Sequence, residues 1–163
     1  MLTLRPFCES DIQPLTTILN QPDVVRYLST KIPYPYTTED AKWWVAEGSQ
    51  SGVVRAIEVD EQLVGCIGVM PGEFEYERSG EIGYWLAQSH WRRGITSQAI
   101  KLIVEEVFTT TQLERIFATV FSSNHPSKQL LLRCGFTQEA TLKKAIFKNG
   151  QFYDSCVFAI IKD

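Results

Sequence analysis

The stretch that decides the fold is Glu81–Ile100, which reads EIGYWLAQSHWRRGITSQAI. Apolar and aromatic residues up to Leu86 predict a β-strand, a short polar segment follows, and a pattern with helical spacing begins after Gly94. Arg92 and Arg93 lie in the turn between the two elements. Consecutive backbone N–H groups, the positive end of a helix and two arginines would therefore meet at one point, which is typical of a phosphate-binding site.

This turn is a weak signal when it is taken alone. Neither of the common phosphate-loop patterns, G-x-x-x-x-G-K-[ST] or G-x-G-x-x-G, is present in it. The alternative is an ordinary strand-to-helix loop whose arginines are solvated. On these residues alone, both interpretations stay open.

The composition is that of an ordinary globular protein. Of the 163 residues, 44% are hydrophobic and 21% are charged, and the formal net charge is −3. We expect a single domain over residues 1–163 with a substantial core. The charge argues against a nucleic-acid partner, and no apolar run approaches the roughly 18 residues of a membrane span. Because the first residues contain no export signal, we expect a cytoplasmic protein.

The cysteines and histidines do not suggest a metal or a covalent intermediate. The four cysteines are scattered and form no C-x-x-C pair, which indicates reduced thiols. None has a histidine in its sequence context, so a covalent acyl-cysteine route is disfavoured. The two histidines, His90 and His125, are too far apart for a convincing metal site. We therefore expect no metal cofactor.

The periodicity of the chain predicts the element order β-α-α-β-β-β-α-β-α-β-β. The long helix is predicted over 95–108, and the strand after it over 115–121. Near the C-terminus, strands are predicted over 136–142 and 145–148, and Asn149-Gly150 is a strong hairpin signal that leads into a final strand. This order describes an α/β fold with one mixed sheet, antiparallel hairpins early and late, and a central β-α-β unit around the turn.

An ordered set of motifs carries a family resemblance. The chain contains, in order, Glu81–Leu86, Trp91-x-x-Gly94, Asn124-x-x-Ser127, Cys134-Gly135-Phe136 and Asn149-Gly150-x-Phe152-Tyr153-Asp154. With these motifs the chain resembles the GNAT (Gcn-type N-acetyltransferase) superfamily, and specifically its RimJ/RimL-like branch, which includes ribosomal-protein N-terminal acetyltransferases. The resemblance covers essentially the whole chain. It implies a GNAT-like acyl-CoA N-acyltransferase fold with a mostly antiparallel sheet.

The resemblance also implies acetyl-CoA as the acetyl donor. The residues expected to bind it are Tyr84, Trp85, Leu86 and Ala87 on the strand, Trp91, Arg92, Arg93, Gly94, Ile95, Thr96 and Ser97 around the turn, and Asn124 and Ser127 further along. Two positions depart from the family signature, because Arg92 replaces a glycine and Thr96 replaces a glycine or alanine. A side chain at position 92 restricts a positive φ, but the two arginines could compensate by pairing with phosphate oxygens.

Direct transfer to an amine requires a proton acceptor, a donor to the carbonyl oxygen and a proton or positive dipole for the departing thiolate. Glu81 is the first candidate for the base, and a solvated or ion-paired carboxylate is the alternative. The N–H of Leu86 or Ala87 is the candidate donor to the carbonyl oxygen. By resemblance Ser127 lies near the CoA sulfur as a candidate acid, and a serine that satisfies its own helix is the alternative.

Two catalytic positions of the family are changed in this chain. Leu131 occupies the position at which many members have an acidic tyrosine, and Ile146 occupies that of a glutamate base proposed for the ribosomal-protein enzymes. Neither side chain can exchange a proton. Either Glu81 and water take over the role of the base, or the acceptor is not a ribosomal protein.

The acceptor is the least determined part of the prediction. The candidate substrate-binding residues are Tyr34, Tyr36, Trp43 and Tyr153, because an aromatic-rich region could hold an amine or a peptide end. Packing beneath a proline-rich loop is the alternative. We expect a protein or peptide N-terminal amine as acceptor. A small amine (polyamine, amino acid or antibiotic) and a non-catalytic CoA-binding regulatory module are the alternatives, and a homodimer through the final strands is left open.

Overall fold

A computed structural model describes residues 1–163 and shows one seven-stranded sheet with helices on both faces. The strands are β1 (Leu2–Arg5), β2 (Val53–Val59), β3 (Gln62–Pro71), β4 (Ser79–Leu86), β5 (Arg115–Phe121), β6 (Thr137–Lys148) and β7 (Gln151–Ile161). The helices are α1 (Ile12–Ile18), α2 (Pro22–Val25), α3 (Thr38–Ala46), α4 (Ile95–Thr110) and α5 (His125–Arg133).

The sheet is mostly antiparallel. Its strand order is β1-β2-β3-β4-β5-β7-β6, and every neighbouring pair is antiparallel except β4 and β5, which are parallel. The parallel pair is joined by α4, because a crossover between parallel strands needs a connection long enough to return along the sheet. The predicted α/β fold with a mixed sheet and a central β-α-β unit is therefore confirmed.

The C-terminal part differs from the prediction in one respect. The strands expected over 136–142 and 145–148 form one strand, β6, which pairs with β7 on both sides of an interruption. The pairing register shifts between Leu142 and Ile146, and Lys144 has a φ of 54° there. A bulge of this kind bends a strand without ending its pairing. The bulge thus breaks the alternation of apolar and polar residues in the sequence, although the strand itself continues.

Helix α4 packs an apolar face on one side of the sheet. Ala99, Ile100, Ile103 and Val107 are fully buried there, each with 0% exposure. Their spacing is that of one helix face. Because burying a large aliphatic side chain contributes roughly 1.5–3 kcal/mol, this face holds the helix firmly on the sheet. The turn that begins the helix is held in place with it.

The other face of the sheet is covered by α1, α2 and α3. Leu15 of α1 and Ala41 of α3 are buried in the same apolar cluster as Trp85 of β4. A capping box begins α3, because the Asp40 N–H donates to Thr37 Oγ1 at 3.1 Å and the Thr37 N–H donates to Asp40 Oδ2 at 2.9 Å. This layer faces the side of β4 that points away from α4.

The cysteines and the lengths of the helices bear on the class of protein. All four cysteines are free thiols. None of the helices combines the length and the apolar character that crossing a bilayer would require.

Strands β4 and β5 separate along the sheet, and this separation positions the site. They pair as far as Glu81 and Phe117 and no further, although β4 continues to Leu86 and β5 to Phe121. The two strands therefore form a V. A groove of about 1020 Å³ lies along it and is lined by both strands, by the first turn of α4 and by the start of α5.

Candidate active site

The turn before α4 presents a row of unpaired backbone donors. Arg92 and Gly94 have φ values of 62° and 74°, a left-handed geometry that turns neighbouring N–H groups toward a common side. The N–H groups of residues 92–97 have no acceptor within the chain, because the first turn of a helix has no preceding carbonyls to bond. Gly94 also provides no side-chain cap. Together with the positive helix end, these donors suit the oxygens of a pyrophosphate.

Arg92 adopts the conformation that a glycine would adopt most easily. For a residue with a Cβ atom, the left-handed region costs about 1–2 kcal/mol. The side chains of Arg92 and Arg93 are exposed and form no ion pair within the chain. Both guanidinium groups are therefore available to phosphate oxygens, as the sequence suggested. Thr96, the other departure from the family signature, lines the groove together with Ile95 and Ser97.

Backbone groups near the end of β4 face the gap of the V. In an antiparallel pair the N–H groups of a strand point alternately to its two sides, and the Ala87 N–H donates to the Val64 carbonyl of β3 at 2.7 Å. Tyr84 and Leu86 therefore direct their N–H groups away from β3, into the gap. The Trp91 indole N–H donates to the Leu86 carbonyl at 2.8 Å and ties the end of β4 to the turn.

This pattern distinguishes the two candidate donors to a carbonyl oxygen. Ala87 is excluded, because its N–H is already bonded within the sheet and the residue is buried outside the groove lining. Leu86 lines the groove and its N–H points into the gap. An extended chain laid along this edge could bond to the N–H groups of Tyr84 and Leu86 as an added strand does.

Tyr84 and Ser127 form a hydroxyl pair in the wall of the groove. Tyr84 Oη lies 2.5 Å from Ser127 Oγ, and both residues line the groove. Burial raises the pKa of Tyr84 to about 12, although the hydrogen bond with Ser127 acts in the opposite direction. The phenol therefore stays protonated and able to donate at neutral pH. Asn124 caps α5 by accepting the Ser127 N–H at 3.4 Å.

The Tyr84 phenol supplies a hydroxyl to a helix face that otherwise has only the serine. Leu131 lies one turn after Ser127 on the same face of α5 and is fully buried. The family tyrosine is missing there, but the Tyr84 side chain reaches that face from β4. The sequence predicts Tyr84 only as a residue of the strand edge, and no signal in it links residues 84 and 127.

Glu81 lies where the V begins. Its carboxylate is exposed, lines the groove and accepts a hydrogen bond from the Thr119 hydroxyl at 2.9 Å. It forms no ion pair, so the ion-paired alternative does not apply. Because successive side chains of a strand point to opposite faces, and Ile82 packs in the cluster beneath α4, Glu81 points to the face that carries α1, α2 and α3.

The structure does not bring the predicted acceptor residues into the groove. Those residues are Tyr34, Tyr36, Trp43 and Tyr153, and none of them lines it. Tyr36 is buried in the core and Tyr34 is exposed to solvent. The Trp43 indole N–H donates to Glu47 at 3.1 Å. Tyr153 packs on Phe121 with ring centroids 5.3 Å apart, and Phe121 itself lines the groove.

Other side chains line the groove on the Glu81 side. These are Tyr27, Trp44, Thr119, Phe121, Ile146 and Lys148 among others. The buried indole N–H of Trp44 has no hydrogen-bond partner. Tyr27 and Lys148 were not predicted, because nothing in their sequence context indicates that two segments so far apart in the chain meet.

Comparisons with known proteins agree with this geometry. The model of the acetyltransferase (GNAT) domain family matches residues 1–137. YoaA of Bacillus subtilis (strain 168), an uncharacterized N-acetyltransferase, is 31% identical over 99% of this chain and 93% of its own. The ribosomal-protein-serine acetyltransferase of Escherichia coli (strain K12) is 28% identical over 99% and 93%. Mycobacterium smegmatis RimJ, solved in complex with CoA-disulfide, is 28% identical and superposes with a TM-score of 0.85 over 98% and 81%.

The chain therefore belongs to the GNAT acetyltransferase family, and it is an acetyl-CoA-dependent N-acetyltransferase. The RimJ/RimL-like resemblance in its sequence is confirmed. The residues present fit acetyl-CoA, because the unpaired N–H groups of residues 92–97 suit a pyrophosphate and the open edge of β4 suits an extended amide chain.

Proposed function

We propose that the chain acetylates the α-amine of a protein or peptide N-terminus by direct transfer from acetyl-CoA. Acetyl-CoA supplies a thioester carbonyl that a neutral amine can attack. The observation that carries this proposal is the V between β4 and β5, in whose groove an open strand edge, a row of unpaired N–H groups and the Glu81 carboxylate come together.

Two sets of backbone donors hold the co-substrate in this proposal. The N–H groups of residues 92–97 bind the pyrophosphate, and the guanidinium groups of Arg92 and Arg93 pair with its outer oxygens. The Tyr84 N–H binds the amide-containing arm along β4. Asn124 uses Oδ1 to cap α5, and its side-chain N–H groups form no bond within the chain, which leaves them for the same arm.

Hydrogen-bond donors are available for the negative charge that develops on the carbonyl oxygen and on the departing sulfur. The Leu86 N–H donates to the carbonyl oxygen as negative charge develops on it, an interaction typically worth about 10²–10³ in kcat. The hydroxyl pair of Tyr84 and Ser127 donates to the sulfur as it departs. Because the pKa of Tyr84 is about 12, the phenol is available as a donor throughout the neutral range.

The character of the base favours an α-amine over an alkyl amine as acceptor. Glu81 is an exposed carboxylate that accepts one hydrogen bond from Thr119. An α-amine has a pKa near 7.7–8.0, so roughly a quarter to two-fifths of it is already neutral at pH 7.5, against about one part in a thousand for a lysine-like amine. Glu81 and water then need only to accept the proton that the attack releases.

The test is thiol release from acetyl-CoA against peptides with varied N-termini, amino acids, polyamines and aminoglycosides, with mass spectrometry of each product. We expect acetyl groups on peptide α-amines. As a matched control, each peptide is offered with its N-terminus already formylated and a lysine still free. Transfer to polyamines or other small amines alone, or binding of acetyl-CoA with no transfer to any amine, would refute the proposal.

A further inference from the structure

A short segment crosses the open end of the V on the Glu81 face of the sheet. It consists of residues 21–28, contains α2, and is called the strap below. Asp23, Val24, Arg26, Tyr27 and Leu28 of the strap line the groove. The ring of Tyr27 packs on that of Phe121 at the end of β5, with centroids 5.3 Å apart.

One end of the strap is held by Lys148 at the end of β6. Lys148 Nζ donates to the backbone carbonyls of Val25, Arg26 and Leu28 at 3.2, 2.9 and 2.8 Å. The last carbonyls of a helix have no intrahelical partner, and a cation suits the negative end of its dipole. The three donors of one ammonium group are thereby used on a segment about 120 residues away in the sequence.

The beginning of the strap is held by Gln88, just beyond β4. The Gln88 N–H donates to Gln21 Oε1 at 3.3 Å, and its side-chain amide donates to Asp23 Oδ2 at 3.1 Å. The strap is thus attached to both arms of the V. Hydrogen bonds with Gln88 hold it on the β4 side, and the packing of Tyr27 on Phe121 holds it on the β5 side. Lys148 adds the bonds to the β6–β7 hairpin.

The strap has little regular structure of its own. Its only helix is four residues long, and an isolated helix of that length is not stable in water. Its position relative to Glu81 therefore depends on contacts with other parts of the chain, namely the packing of Val24 in the core and the hydrogen bonds described above. Lys148 supplies more of these bonds than any other side chain.

We propose that Lys148 is a positioning residue for the acceptor, which rests on the proposed function: it holds the strap across the V and so forms the wall against which the acceptor binds beside Glu81. Its own donors are saturated by backbone carbonyls, so it acts through the strap and has no donor left for the acceptor. Binding of acetyl-CoA on the far side of the groove does not depend on it.

The strap itself is tested by amide hydrogen exchange, which needs no acceptor. In Lys148→Met, which keeps most of the side-chain stem, we expect exchange over residues 21–32 to accelerate by about ten-fold or more, since hydrogen bonds from a charged group are lost. The matched control is Lys101→Met, because Lys101 is an exposed lysine of α4 that forms no ion pair. Lys148→Arg, which keeps the charge and several donors, should restore most of the protection.

The role in acceptor binding is tested by kinetics with an acceptor peptide that the wild-type protein acetylates. We expect Lys148→Met to raise the acceptor KM about ten-fold and to leave the acetyl-CoA KM within two-fold. Unchanged exchange over residues 21–32, or faster exchange with an unchanged acceptor KM, would overturn the proposal. A wild-type protein that acetylates no amine would contradict the proposed function instead, and the exchange comparison would still decide whether Lys148 holds the strap.

Discussion

Removal of the Tyr84 hydroxyl separates a chemical role for this residue from a structural one. In Tyr84→Phe the ring is retained, and the side chain loses the contact between Tyr84 Oη and Ser127 Oγ. The loss of one buried hydrogen bond costs about 1 kcal/mol of stability, which lowers the Tm of a protein of this size by roughly 2–4 °C. The variant is therefore expected to fold.

The expected effect on catalysis is larger than the effect on stability. A pre-positioned donor to developing charge is worth about 10²–10³ in kcat, and the Ser127 hydroxyl remains to donate in part. We therefore expect kcat to fall about 10–100-fold, or roughly 1.4–2.7 kcal/mol, while the acetyl-CoA KM stays within about two-fold. In the double variant with Ser127→Ala the two losses should not add, because the hydroxyl groups act as one unit.

The assay is steady-state thiol release at saturating acetyl-CoA and acceptor, with Tm measured on the same samples. Tyr76→Phe is the matched control, because Tyr76 is 72% exposed and should change neither kcat nor Tm. Since the pKa of Tyr84 is about 12, its acid form persists through pH 7–10, and kcat of the wild-type protein should show no decline from Tyr84 in that range. A kcat of Tyr84→Phe within two-fold of wild type would refute the role.

Four further outcomes are expected. Glu81→Gln should lower kcat at neutral pH with acetyl-CoA affinity unchanged, and an unaltered pH–rate profile of kcat would contradict its role as base. Gly94→Val should raise the acetyl-CoA Kd and lower the Tm, because a β-branched residue is strained at a φ of 74°. Burial raises the pKa of Asp11, but hydrogen bonds led by that from Arg5 outweigh burial and hold the pKa below its usual value. The stability that this lowered pKa adds is complete above the unfolded pKa near 3.9 and is lost as the pH falls through the lower folded pKa. Asp11→Asn should therefore lose less stability than wild type during acid titration. If the homodimer that the sequence leaves open forms through the β6 edge, Phe147→Lys on its exposed surface should yield monomers in light scattering, and a wild-type monomer would exclude that interface.

The parts of the fold that follow local patterns could be predicted from the sequence. The face of α4 that carries Ile100 and Ile103 and the strand over 115–121 depend on periodicity, which neighbouring residues alone determine. The strand predicted to end at residue 142 instead continues to Lys148. A bulge interrupts the alternation of the sequence there, while the bonds to the neighbouring strand continue. That continuity is set by β7, which lies beyond the interruption in the sequence.

The same distinction holds for the site. The row of unpaired donors in the turn around Gly94 was predictable because these donors are consecutive in the chain. The contact between Tyr84 and Ser127 was not, since it joins positions 43 residues apart. The unusual aromatic composition near Trp43 suggests acceptor residues there, but residues with ordinary local sequence such as Lys148 line the groove. Proximity in space determines these contacts, and one sequence does not encode it visibly.

The open edge of β4 has a consequence for what limits turnover. Beyond Glu81 the sheet contains two internal edges, and an extended ligand that bonds to the Tyr84 N–H would complete it from within. The arm that could do so is the same in acetyl-CoA and in CoA, so these bonds hold substrate and product alike and do not favour the transition state over either. Free CoA should therefore compete with acetyl-CoA for the enzyme. Any preference for the acetylated form has to come from the few groups that we propose to act at the end of the arm, the Leu86 N–H at the acetyl carbonyl and the Tyr84 hydroxyl at the sulfur.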